Sequence, residues 1–409
     1  MKLPLKKLFC FTVCLLMAFN LTACGPEDPT AEMANSTPEV SFEKEQNTPV
    51  HNSIETLLLN TPIHISKVFS ENFKVEANVQ VPKVKKADIL YAKYMTFEEQ
   101  KLLSIFYKGK SPQRSFNSYD HTIMYQDDSS YLNISNSFIA YATQDFQYVK
   151  YPTDSFVSSS EIFSSNKRFG EVYKQENLGF MSRSEVLENV SEFFKELSID
   201  IMEDAEIYAI DSLTMQKQQE ERIQKDIDYQ KKMGICPLRN PTDGYQTKDT
   251  FTPEDDFYIL FFKMVQNGIP VTQKSYIIQA SERLLSGSTA RISFSRKGII
   301  QLYFNGIYQQ QGVAESPNTL ISVEEALQKA FEKHNAIIST DKVTVTSIDF
   351  EYVPVPYNNN YDEVRLIPAW SLTLAIERTK SSKGMKQDFQ SGVSRRIMFI
   401  NAVSGEEIQ

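Results

Sequence analysis

Cysteine is nearly absent from this chain. Its 409 residues hold four, and Cys10, Cys14 and Cys24 all fall within the first 24 positions. Beyond them only Cys236 remains, so the rest of the chain can form neither an internal disulfide nor a structural zinc site. Cys236 itself reads as an ordinary loop or small-core residue. Histidine is as sparse: His51, His64, His121 and His334 stand far apart, and no spacing pairs two of them as metal ligands. A basic excess is also missing. The formal net charge of −9 argues against nucleic acid as a partner, because phosphate binding wants a basic surface. It argues equally against broad contact with anionic headgroups. The GxSxG, HExxH, P-loop and GxGxxG patterns do not occur. Ser41 with Lys44, Ser164 with Lys167 and Ser339 with Lys342 each spell SxxK, but the companion SDN and KTG motifs are lacking. With Ser and Lys this common, chance accounts for all three.

What is present begins at the N-terminus. Lys2, Lys6 and Lys7 form a basic start, residues 8–19 an apolar run, and Leu21-Thr22-Ala23-Cys24 follows. The run is about a dozen residues, short of the roughly 20 a membrane-spanning helix needs. Leu21, Thr22, Ala23 and Cys24 resemble the lipobox of bacterial lipoproteins. The resemblance implies that residues 1–23 are a signal removed before Cys24, and that Cys24 carries a diacylglyceryl thioether. It places the protein on the outer face of the cytoplasmic membrane, where two or three acyl chains anchor stably. Abundant Lys, Asn, Tyr, Ile and Phe fit an AT-rich genome, as in low-GC Gram-positive bacteria. Residues 24–53 read as a disordered acidic tether, rich in Pro, Glu, Ser, Thr and Asn. Its reach is roughly 30 Å on random-coil scaling.

The remaining chain reads as folded. Residues 54–173 form an N-terminal α+β region: 73–81 alternate apolar and polar as a half-buried strand, 87–95 form a second strand, and Thr96 with Glu99 spells a capping box before a helix to about 108. Strands follow at 121–126, 131–135 and 138–143. Residues 179–311 form a first helix-plus-sheet module. Ser182 and Glu185 make a capping box, 205–211 a strand, and 212–250 a charged helical insertion. Strands at 257–265 and 269–279 meet at Asn267-Gly268, a type I′ hairpin signal, and 291–295 and 299–304 meet at Lys297-Gly298. Residues 320–409 form a second module, opened by the Ser322–Glu325 capping box and followed by strands at 343–352, 366–376 and 396–402. The repeat of helix, strand and further strands predicts the α+β class, as tandem modules of one helix packed on an antiparallel sheet.

Ile367-Pro368-Ala369-Trp370, followed by Ile400-Asn401-Ala402-Val403-Ser404-Gly405-Glu406, resembles the ending of extracytoplasmic PepSY-type domains and of the YycH/YycI accessory regulators of a sensor kinase. The match spans about residues 322–407, with a faint echo in 182–279. It implies a helix on a small antiparallel sheet, with the Trp strand paired to the Asn-Ala strand, and regulation through protein contacts. The chain departs from YycH/YycI in carrying a lipobox instead of a transmembrane helix. On the residues alone, Trp370, Pro368, Asn401, Ser404 and Gly405 are structural.

Two acidic groups merit weighing as calcium ligands: Glu254-Asp255-Asp256, and Asp362-Glu363 after Asn358-Asn359-Asn360. Neither has EF-hand spacing, and polar loops between strands look like this by default. The expectation is therefore a non-catalytic, membrane-anchored lipoprotein that binds a protein or cell-envelope partner. It has no cofactor, no metal and no catalytic residue, and its ligand-binding residues are unknown. A solute-binding lipoprotein of a transporter is the first alternative and a cell-envelope enzyme the second. The sheet edges that would dock a partner are expected around the Asn267-Gly268 and Lys297-Gly298 hairpins.

Overall fold

A computed structural model describes residues 53–119, 121–136, 138–144, 146, 172–234, 250–278, 283–336, 341–358, 360–377 and 393–408. The chain enters on helix α1 (Ile54–Leu59), capped by the Ser53 side chain. It then forms β1 (His64–Ser70), β2 (Phe73–Gln80) and β3 (Ile89–Tyr94). In β2 each of Phe73, Val75, Ala77 and Val79 is buried and each residue between is exposed, the period of a sheet with one wet face. Helix α2 (Glu99–Phe106) leads to β4 (Gln113–Asn117), β5 (Thr122–Gln126), β6 (Ser130–Ile134) and β7 (Phe138–Thr143). The capping box expected at Thr96 does not form. Glu98 occupies the cap position without a side-chain bond, and Glu99 instead accepts from Arg114 and Tyr125.

The second stretch holds α3 (Arg183–Glu196), β8 (Glu206–Ile210), α4 (Ser212–Lys232) and β9 (Phe257–Phe262). Two-residue strands β10 (Val265–Gln266) and β11 (Ile269–Pro270) follow, then a small hairpin of β12 (Tyr276–Ile278) and β13 (Arg283–Leu285). Next come β14 (Thr289–Ser295), β15 (Gly298–Asn305) and β16 (Tyr308–Glu315). The end of the chain is α5 (Val323–Asn335), β17 (Lys342–Tyr357), β18 (Asn360–Glu377), β19 (Val393–Asn401) and β20 (Glu407–Ile408). The capping boxes at Ser182 and Ser322 are both formed. Asn267 and Gly268 both have positive φ, as a type I′ turn requires.

These strands build two eight-stranded sheets. Sheet A runs β1-β2-β17-β18-β19-β20, with β3 paired to both β18 and β16; sheet B runs β4-β5-β6-β7-β15-β14-β9-β8. Pairing is antiparallel except that β2 and β17 run parallel. This arrangement corrects the expected fold class. Strand makes up 47% of the structure and helix 23%, so the protein is mostly β and is not a row of one-helix α+β modules. Residues of the N-terminal region supply β1, β2 and β3 to sheet A and β4 to β7 to sheet B. The chain therefore returns to each sheet several times, and no helix owns a sheet. The physical reason is that alternation encodes the face of a strand but not its neighbour.

Helices cover one face of sheet A and pack on both faces of sheet B. Ile54 and Leu58 of α1 and Val323, Ala326, Leu327 and Ala330 of α5 pack on Phe350, Tyr352, Trp370 and Leu372 of sheet A. The Trp370 indole N–H donates to the Ile321 carbonyl. Leu102 of α2 and Val186, Val190, Phe193 and Phe194 of α3 pack on Leu260, Phe262, Leu302 and Phe304 of sheet B. The opposite face of sheet B carries Phe257, Ile259 and Phe261 against Met215 of α4. On the opposite face of sheet A a smaller apolar group joins Val353, Ala369 and Phe399 to Tyr276 of β12.

The edges differ from those expected. Lys297 and Gly298 turn between β14 and β15, both interior strands of sheet B. The Asn267-Gly268 turn lies against Val84, with Ile269 wholly buried behind it. Among the described residues, the edges of the two large sheets are β1, β16 and β20 in sheet A and β4 and β8 in sheet B. No helix among those residues is long and apolar enough to cross a membrane.

Candidate functional site

The outer face of sheet A carries a buried ionic cluster. After β11 the chain lies along β17: Val271 bridges Tyr352 in parallel, and the Thr272 amide donates to the Tyr352 carbonyl at 2.8 Å. Gly287 presses on this segment from the other side. A Cβ there would sit 2.3 Å from the Gln273 carbonyl carbon and 2.6 Å from the Lys274 nitrogen, so only glycine fits. The segment thus held directs Lys274 over the sheet. Its Nζ lies 2.6 Å from Ser371 Oγ, 3.1 Å from Asp349 Oδ2 and 3.3 Å from Glu351 Oε1. Asp349 and Glu351 are two apart on β17 and so share a face. Ser371 pairs directly with Asp349 across the β17–β18 ladder. The Ser347 hydroxyl, 3.3 Å away, also donates to Asp349.

Lys274, Glu351 and Ser371 are buried. Burial works against the ammonium, but Glu351 and Asp349 outweigh it and hold the Lys274 pKa above the ordinary lysine value. An ammonium has three protons, and three acceptors meet them here. The cluster is closed on itself and joins the segment between β11 and β12 to sheet A.

A second polar group lies on the same face, in the open. His64 of β1 places Nδ1 3.0 Å from Asn78 Oδ1 and Nε2 3.0 Å from Glu76 Oε1. The Ser66 hydroxyl donates to the other Glu76 oxygen at 2.7 Å. The Asn78 contact, helped by Glu76, raises the His64 pKa. The Ser66 hydroxyl, with His64, lowers that of Glu76.

The residues singled out from sequence do not converge. Cys24, with Leu21, Thr22 and Ala23, lies outside the described residues, as do His51, Cys236 and two of the SxxK serines with their lysines. Ser339 of the third is outside as well, though Lys342 opens β17. His121 sits in the β4–β5 turn beside Phe116, and His334 packs on Phe73 at the end of α5. Glu254 pairs with Arg296 at 3.1 Å. Asp255 instead accepts from the Thr252 amide, and Asp256 from the Ser212 amide at 2.7 Å. The three neighbouring carboxylates are thus spent on three different partners. Asp362 and Glu363 lie at the start of β18, where Glu363 pairs with Lys93. Among the described residues no three His, Cys, Asp or Glu side chains could hold one ion. Asn401 accepts from the Val403 and Ser404 amides, and Gly405 has positive φ, a turn built as the residue types suggest.

Lys274, Asp349, Glu351 and Ser371 escaped the reading of the sequence. The available signal was Asp349-x-Glu351 alternating with Ile348, Phe350 and Tyr352, two acids on one face of an otherwise apolar strand. Their cation, 75 residues away, carries no local mark.

No family model matches this sequence, and no curated protein is significantly similar to it. A solved structure is similar in fold: an uncharacterized protein from Eubacterium rectale ATCC 33656, determined at 1.45 Å resolution. It aligns with a TM-score of 0.62 at 17% identity, over 88% of this chain and 95% of its own. At that identity the likeness is one of fold.

Proposed function

We propose that this chain is a lipid-anchored extracytoplasmic lipoprotein that acts by binding a protein or cell-envelope partner, without turning over a substrate. Leu21-Thr22-Ala23-Cys24 supports the anchor. The PepSY-like and YycH/YycI-like ending supports a regulatory or adaptor role. The observation that carries the binding mode is β1. It is an edge strand of an eight-stranded sheet, and Val68 on it is 74% exposed, with Ile63 just before it 85% exposed. An open edge flanked by apolar side chains is the surface on which an extended segment adds as a further strand.

The test is capture from native membranes by the full chain, beside the double variant Ile63→Lys with Val68→Lys. The variant is expected to lose the captured partner while its melting temperature stays close to the parent's, because exposed substitutions cost under about 0.5 kcal/mol. Equal capture by both proteins would remove β1 from the reading. A thermal-shift screen of small solutes covers the transporter alternative, since a specific ligand raises the melting temperature.

A further inference from the structure

We propose that Lys274 and Asp349 become joined by an intramolecular amide bond, with Glu351 as the proton relay. The geometry is already that of an encounter. Nζ touches Asp349 Oδ2 at 3.1 Å, and the carboxyl carbon is one bond beyond that oxygen. Glu351 reaches the same nitrogen at 3.3 Å, so a second carboxylate stands ready to carry protons without being consumed. The Ser371 hydroxyl accepts from Nζ at 2.6 Å and fixes its direction. Lys274 and Glu351 are buried and Ser371 is wholly so. The ammonium is bonded and held, which removes the orientational cost of bringing amine and acid together.

Charge supplies the drive. Two carboxylates and one ammonium share a poorly solvated site, so each charge there carries a desolvation cost that a neutral amide does not. The reaction discharges the pair. Glu351 takes one ammonium proton and passes it to Asp349, giving a neutral amine beside a neutral acid. The amine lone pair attacks the Asp349 carboxyl carbon and a C–N bond forms. Glu351 takes a second proton from that nitrogen and delivers it to the departing hydroxyl, the C–O bond breaks, and one water leaves. The products are the amide, with one N–H left on nitrogen, and a Glu351 carboxylate as at the start. No oxidant or reductant takes part. Asp349 is the acceptor because its oxygen is the nearer of the two carboxylates and its short side chain has least freedom to withdraw. The bond would tie the segment between β11 and β12 to the central strand β17, closing a loop of 75 residues. In a chain whose only cysteine after Cys24 is Cys236, it is a covalent brace that a disulfide cannot provide.

Proteolysis and mass spectrometry of the full purified chain decide the matter. The expected product is one branched peptide carrying both Lys274 and Asp349, lighter by one water than the sum of its two arms and resistant to reductant. Glu351→Gln keeps an acceptor for Nζ but cannot relay protons, and is expected to give two unlinked peptides of full mass. Asp349→Ala is expected to do the same. Unlinked peptides from the parent, with near-ultraviolet circular dichroism showing it folded, would overturn the proposal. So would a link to Glu351 in place of Asp349. The parent measurement stands even where a variant does not fold.

Discussion

Single residues hold the turns of this protein, and Asp127 shows how. Its Oδ1 accepts from the Ser129 and Ser130 amides, each at 2.8 Å, and its Oδ2 faces the Lys110 ammonium at 3.2 Å. Partial burial works against its charge. The Ser129 hydroxyl and amide, Lys110 and the Ser130 amide more than reverse that and lower the pKa to about 2. The sign follows from linkage. The ordinary value of 3.8 stands for the unfolded chain, so the stabilisation is complete above that pH and is lost as pH falls through about 2. Asp127→Ala is expected to cost about 1–2 kcal/mol at neutral pH. In denaturant titrations the gap between variant and parent should close near the folded pKa. The break between the expected strands at 121–126 and 131–135 was legible; which Asp127 oxygen meets which amide was not.

Elements depend on close approaches that few residue types allow. Gly287 backs onto the segment carrying Lys274, and the Cβ of a residue at Gly306 would lie 2.5 Å from the Gly287 carbonyl oxygen. Gly312 on β16 has open space around it. Gly287→Ala is therefore expected to destabilise by about 1–3 kcal/mol through overpacking, with Gly312→Ala changing stability far less. Urea denaturation midpoints of the two variants check this. The elements themselves were largely readable. The strand from Phe73, the capping boxes at Ser182 and Ser322 and the Asn267-Gly268 turn all rest on contacts within a few residues. By contrast α1, β1, β4 and β16 were not read as elements. Six-residue α1 is too short to show a helical period, the mixed sequences of β1 and β16 show no apolar alternation, and β4 has no buried residue at all. The predicted strand at 269–279 is broken because its middle leaves β11 to lie along β17.

At the scale of the whole molecule, the proposed anchor and the folded body make separate demands. Cys24→Ala is expected to abolish incorporation of labelled fatty acid and to leave the chain unprocessed or released from the membrane. The folded body should melt as the parent does, since its described cores contain no residue before Ile54. Continued labelling of the variant would remove the lipoprotein reading. The ionic cluster belongs to this scale too. Lys274 comes from the segment between β11 and β12, and Asp349 and Glu351 from β17. They meet only because the chain leaves sheet B after β9, runs along sheet A and returns to sheet B at β14.

The sequence by itself determined the local things: two capped helices, a type I′ hairpin, the wet and dry faces of β2, and a Trp-bearing strand near the end. Each depends on residues within one or two turns of chain, where side-chain chemistry acts directly on the neighbouring backbone. Only the tertiary structure decided that the strands form two large sheets, that β2 lies parallel to β17, which edges are open, and that Lys274 lies among Asp349, Glu351 and Ser371. Strand neighbours and buried ion partners are chosen by packing across long separations, and period alone carries no record of that choice.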